Sequence, residues 1–156
     1  MAADHTPVPG MSAEQRRLVR QSYESIGDLA VSMSLLFYGR LFEIDPSARS
    51  LFHGDLAQQA RKLTDTLSAI VESLDQFEIM APRLAALGRQ PAGYGVRPHH
   101  YDTATTAIVW ALGQAIGADF DLATREAWRA ALTAISNVMR DAGAPQTSPD
   151  HGTASG

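Results

Sequence analysis

An all-α, single-domain fold is what this sequence predicts, and three observations carry the prediction. Apolar residues recur at i, i+3, i+4 and i+7 along several long runs. Capping residues, glycine and proline sit at the boundaries of those runs, where helices start and stop. No segment survives as a strand, and no repeat with a period of 20–50 residues suggests a helical solenoid. At 156 residues the chain is one domain long and can bury about 68–70% of its unfolded surface, so it needs no staple to fold.

Residues 1–11 are polar and proline-broken and read as a mobile arm. The string S-A-E-Q from Ser12 to Gln15 is a capping box that opens the first helix, with Leu18, Tyr23 and Ile26 on its apolar side. Residues 28–43, DLAVSMSLLFYGRLFE, form the richest apolar run. Leu29, Met33, Leu36, Phe37 and Leu41 recur at helical spacing, over so much of the circumference that the helix should lie deep. Gly39 either admits a neighbouring helix or faces solvent. Asp45-Pro46 is an N-cap followed by proline at the first helical position, and it opens a short helix over 46–51. After the turn His53-Gly54, Asp55 caps a helix over 56–74, whose inner face is Leu56, Ala60, Leu63, Leu67, Ile70, Val71 and Leu74. Asp75 to Glu78 offers another capping box. Pro82 should divide the next stretch into a lead-in and a short helix with Leu84, Leu87 and Ala81 or Ala85 inward.

The cleanest periodicity follows Pro98: Tyr101, Ala104, Thr105, Ile108, Val109, Leu112 and Ile116, stopped by Gly117. Asp121 caps the last helix, where Leu122, Trp128, Leu132, Ile135 and Val138 or Met139 face inward, and Gly143 and Pro145 end it. Residues 143–156 are disordered by composition. Trp110 and Trp128 read first as packing and second as a homodimer face.

Composition excludes several functions. The absence of cysteine removes thiol catalysis, iron–sulfur clusters and cysteine-held zinc. A net charge of −4 does not suggest a nucleic-acid surface. No run of about 18 apolar residues reads as membrane-spanning. The N-terminus lacks the basic and apolar regions of a secretory signal, so a cytoplasmic location is expected. No nucleophile elbow and no HExxH-type ligand pair is present, so the chain is not expected to be an enzyme, and no metal ligand is assigned.

The strings LLFYGRLFEIDPSARSLF, QQARKL and LAALGRQPAGYGVRPHHYDTATTAIVWAL together resemble the globin family, above all single-domain bacterial haemoglobins and the haem domain of flavohaemoglobins. The resemblance covers about residues 12–142, and its sparse markers come in family order. It implies the globin fold, a three-on-three helical sandwich over 12–142, and a haem cofactor. It further implies that Pro46 opens the short third helix and that Phe52 packs on the haem ring. Tyr38 and Gln59 would be the distal polar residues, with Leu63 over the iron and Lys62 at a propionate. Leu87, Val96 and Tyr101 would be proximal-side contacts. In the same frame Pro91 occupies the place of the proximal histidine, the family's iron ligand. Proline has no side-chain donor, and its ring disfavours helical geometry at Gln90. The glutamate that supports the proximal side in this branch is also missing: the matching stretch reads MRDAGA, with Gly143 nearest.

The closest replacement ligands are His99 and His100. On a helix phased by Tyr101, His100 lies about 100° and His99 about 200° from the inward stripe, so His99 should face solvent and His100 stand oblique. His53 could reach the pocket only from the distal side, and His5 and His151 lie in the tails. A rigid void of about 300 Å³ would cost about 7 kcal/mol, a large share of the usual stability of about 5–15 kcal/mol, so the pocket is either filled or collapsed. The expected function is a haem-pocket globin that binds a diatomic gas of the oxygen type, with weak or non-standard ligation. The alternative is a haem-free globin-like module that binds an apolar small molecule or a protein partner.

Overall fold

The computed structural model describes residues 6–52, 54–89 and 98–143. Six helices run in order: α1 (Ala13–Ile26), α2 (Ala30–Ile44), α3 (Leu56–Glu72), α4 (Phe77–Arg89), α5 (Pro98–Ile116) and α6 (Leu122–Gly143). Single 3-10 turns precede α2, follow α2 and follow α5, and no strand occurs among the described residues. The helices form two layers of three. α1, α3 and α4 lie over α2, α5 and α6, with α4 and α1 packed on α6 and α3 packed on α2. The expected three-on-three sandwich is therefore the observed one.

The capping chemistry explains most boundaries. Ser12 Oγ accepts from the Gln15 N–H at 3.1 Å and the Gln15 side chain accepts from the Ser12 N–H at 3.1 Å, closing the box. Asp45 opens the turn Pro46–Leu51, Asp55 caps α3 through the Ala57 N–H at 3.0 Å, and Asp121 caps α6 through the Thr124 N–H at 2.9 Å. Gly117, at φ +81°, ends α5 in a conformation that side-chain-bearing residues avoid.

Several expectations are corrected. The arm 1–11 is tied down from Thr6 onward. The Val8 N–H donates to the Leu74 carbonyl at 3.0 Å, the Phe77 N–H donates to the Thr6 carbonyl, and the Thr6 N–H donates to Glu78 Oε1. Val8 and Met11 are buried, so two apolar side chains in a polar stretch make a strap across the α3–α4 corner. Glu78 thus serves the strap, and Asp75 pairs with Arg16 and Arg20 of α1. Pro82 does not divide α4. The helix continues through it because Phe77, Met80 and Leu84 bury one face across the proline while the ring stays exposed.

Burial also corrects the apolar stripes. α2 buries Met33, Ser34, Phe37, Tyr38 and Leu41, whereas Val31, Leu35 and Leu36 are exposed. Leu29 is exposed as well, because it belongs to the 3-10 turn Gly27–Leu29 and lies out of phase with α2. Leu87 is 39% exposed and Leu122 is 69% exposed, both at helix ends beyond their neighbours' cover. Among the described residues nothing lies within 4 Å of a side chain built on Gly39, and the glycine is exposed, so of its two expected settings it takes the solvent-facing one.

The core centres on Trp128, which is fully buried. Its indole N–H donates to Ser22 Oγ at 2.8 Å, and Ser22 Oγ–H donates to the Leu18 carbonyl at 2.7 Å. Ala107, Ala111, Ala127 and Ala131 are all fully buried, which lets α5 and α6 approach each other and their partners closely.

Candidate functional site

Away from Trp128, α2, α3 and the turn between them assemble an aromatic group around Tyr38. The Tyr38 ring lies 4.8 Å from Phe37, 5.1 Å from Phe52 and 6.2 Å from Phe42, centroid to centroid. The first two contacts are edge-on, the arrangement that ring quadrupoles favour. Helical spacing puts Phe37, Tyr38 and Phe42 on α2, and the short turn after Pro46 returns Phe52 to them. Tyr38 is 4% exposed. Its hydroxyl donates to the backbone carbonyl of Gln59 at 3.4 Å, a long bond for an O–H donor. Burial pushes the phenol up to about 12, so the group remains a neutral donor at ordinary pH.

One turn before Tyr38, Ser34 is fully buried and shares a hydrogen bond of 2.8 Å with Thr64 Oγ1. Thr64 Oγ1–H also has the Ala60 carbonyl at 2.8 Å. This polar contact between α2 and α3 escaped the sequence reading. The signal for it was a serine on an otherwise apolar face, four residues before the tyrosine.

The other expected site residues are placed as follows. Leu63 and Phe52 are half-buried against the core, Gln59 is half-buried, and Lys62 is exposed. Tyr101 is half-buried at the start of α5, with the Arg140 guanidinium 5.8 Å from its ring centre. Burial raises the Tyr101 phenol, with the Arg140 charge opposing. The basic group from α6 therefore meets Tyr101 one turn before Gly143. Leu87, on α4, is exposed. Pro91, Val96 and His53 lie outside the described residues, as do His5 and His151 in the tails.

His99 and His100 behave as their helix phase suggests: the side chains are 59% and 12% exposed. Their rings nevertheless converge, with centroids 4.1 Å apart. Each Nε2 lies 3.5 Å from the same oxygen, Asp45 Oδ2. Asp45 Oδ1 is already engaged, accepting from the Ser47 N–H at 3.1 Å and from Ser47 Oγ–H at 2.6 Å. The Ser47 hydroxyl holds the Asp45 carboxyl below its ordinary value; burial opposes this, and the Ser47 N–H and the two imidazoles add to it.

These residues fit a haem in part. Phe52 lies against the buried Tyr38 ring, an apolar surface that would suit a porphyrin face, and the half-buried Leu63 and Tyr101 and the exposed Lys62 are of the types that would line a ring and meet a propionate. Pro91, which the resemblance sets in the place of the iron donor, lies outside the described residues.

A family profile described as Globin matches residues 35–139. The neuroglobin of Tetraodon nigroviridis is 25% identical over 132 residues, spanning 76% of this chain and 83% of that protein. A flavohemoprotein of Xylella fastidiosa is 27% identical over 130 residues, spanning 80% of this chain and 32% of that protein. In fold, the chain matches a crystal structure titled as a hexacoordinated heme protein from an anhydrobiotic tardigrade. The TM-score is 0.79 at 15% identity, over 87% of this chain and 96% of that one. With the two-layer fold, the aromatic group around Tyr38 and a profile match over most of the described residues, this chain belongs to the globin family.

Proposed function

We propose that this globin binds haem without the family's usual histidine–iron bond and presents Tyr38 to a diatomic ligand. The carrying observation is the Tyr38 hydroxyl. It is buried among aromatic rings, neutral across the ordinary pH range, and held by a bond long enough to be exchanged for a better acceptor. The chemistry supplied by bound haem is an iron that takes a small ligand. The chain's own contribution is a dry apolar wall from Phe52 and Leu63, a hydrogen-bond donor at Tyr38 and a cation at Lys62. This is binding rather than catalysis, and the chain acts as a carrier or sensor of gas.

Pro91 favours a second reading, a haem-free module that takes an apolar small molecule. One experiment separates the two. The protein is expressed with haem available, purified, and its visible spectrum recorded before and after added hemin. A stoichiometric Soret band supports the haem reading, and its absence in both spectra refutes it. Where the band appears, Tyr38→Phe should speed dissociation of a diatomic ligand about tenfold, the loss of one hydrogen bond to a polarised partner. His100→Ala should leave the ligation spectrum unchanged unless His100 has left Asp45 for the iron.

A further inference from the structure

Neighbouring residues on a helix diverge by about 100°, yet His99 and His100 turn their rings toward one carboxylate. Asp45 Oδ2 is buried and makes no hydrogen bond among the described residues. Its nearest donors, the two Nε2 atoms, stand at 3.5 Å, beyond the usual range of an N–H···O bond. The same separation has a ready meaning in coordination chemistry. Nitrogen and oxygen ligands about 2.1 Å from a tetrahedral ion lie about 3.4 Å from each other. The ligand atoms of Asp45, His99 and His100 all fall within 4.8 Å of one another. The widest separation is one that the exposed His99 can shorten by turning its side chain.

We infer that Asp45, His99 and His100 form a binding site for a divalent transition metal of the zinc class. The chemistry of the set agrees. Two imidazoles and one carboxylate are three protein ligands, leaving one coordination position for solvent. The carboxylate is also oriented in advance. Ser47 engages Oδ1 through both its N–H and its hydroxyl, and so leaves Oδ2 to face the histidines. Such outer partners are what hold metal ligands in place. A bound ion would join the end of α2 to the start of α5 and so fix where α5 begins. The inference does not rest on haem: the proposed function is built on Tyr38, Phe52, Leu63 and Lys62, none of which belongs to this set.

The test uses the full chain, stripped with EDTA and desalted, in its haem-free form. Zn²⁺ is titrated by calorimetry, and Co²⁺ is followed by its visible d–d absorption. One saturable site is expected, with tetrahedral-type Co²⁺ bands and a higher Tm in the presence of Zn²⁺. His99→Ala, His100→Ala and Asp45→Asn should each weaken binding at least about tenfold, and Ser47→Ala should weaken it by a smaller factor. Asparagine still caps the following turn, and His99 is exposed, so at least these two variants keep the fold. The pair His5→Ala with His151→Ala should bind like the parent. No saturable binding, or parental affinity in both His99→Ala and Asp45→Asn, would overturn the inference.

Discussion

In the proposed function Tyr38 is central to binding, yet its hydroxyl should count for little in stability. Its hydrogen bond to the Gln59 carbonyl is 3.4 Å long, so Tyr38→Phe should change unfolding free energy by no more than about 1 kcal/mol in urea denaturation. Asp75 makes the opposite case. Burial works to raise its carboxyl, but hydrogen bonds from Arg20 and Arg16 outweigh this and the net shift is downward from 3.8. A depressed folded value means that the unfolded chain binds the proton more readily. The clamp's contribution is therefore complete well above pH 3.8 and is lost as acid titrates the folded carboxylate. Asp75→Asn should lower Tm at pH 7 and converge with the parent at the acid end of a pH series. A gap constant with pH would refute the assignment. The pairing itself was hidden in the sequence. Asp75 and Glu78 have the spacing of a capping box, but the arginines one turn apart on α1 lie about sixty positions away, and nothing local announces them.

At the level of elements, proline inside α4 removes one backbone donor and is tolerated because the apolar face across it is buried. Pro82→Ala should stabilise the protein by about 1–3 kcal/mol, measured by chemical unfolding, since an exposed interior helix position favours alanine. Helix order was legible from periodicity, and the starts at Ser12, Asp45, Asp55 and Asp121 were legible from capping chemistry. Which face of α2 is covered was not. Leu36 and Phe37 are both apolar neighbours, and only the placement of α3 and α5 decides that Phe37 is buried while Leu36 is exposed. The site divides in the same way. Tyr38, Phe52 and Leu63 could be named because a spaced pattern carries them. The convergence of His99 and His100 on Asp45 could not, because it joins residues about fifty positions apart through a helix packing that periodicity does not encode.

Across the molecule, stability rests on the contact of both layers at Trp128. Trp128→Ala should cost about 3–5 kcal/mol in unfolding free energy, the range for deleting a buried aromatic ring. The strap of residues 6–11 contributes from outside the six helices. Val8 is buried and its N–H is bonded to the Leu74 carbonyl, so Val8→Ala should cost about 1–2 kcal/mol by loss of two buried methyl groups. An unchanged Tm in that variant would show that the strap is not part of the cooperative unit. Proline-rich composition concealed this segment: docking depends on two side chains and three hydrogen bonds to the α3–α4 corner, too little pattern to read in advance.

The two indoles occupy unlike settings. Trp128 is dry and hydrogen-bonded to Ser22, while Trp110 is half-buried beneath the Arg40 guanidinium at 4.9 Å. The chain therefore carries its own pair of fluorophores. Trp128 should emit toward the blue, and Trp110 should be the one reached by a dissolved quencher such as iodide. In Trp110→Phe the remaining emission would report on the junction of the two helical layers alone, and its transfer to an absorbing cofactor would register the binding proposed above without a label.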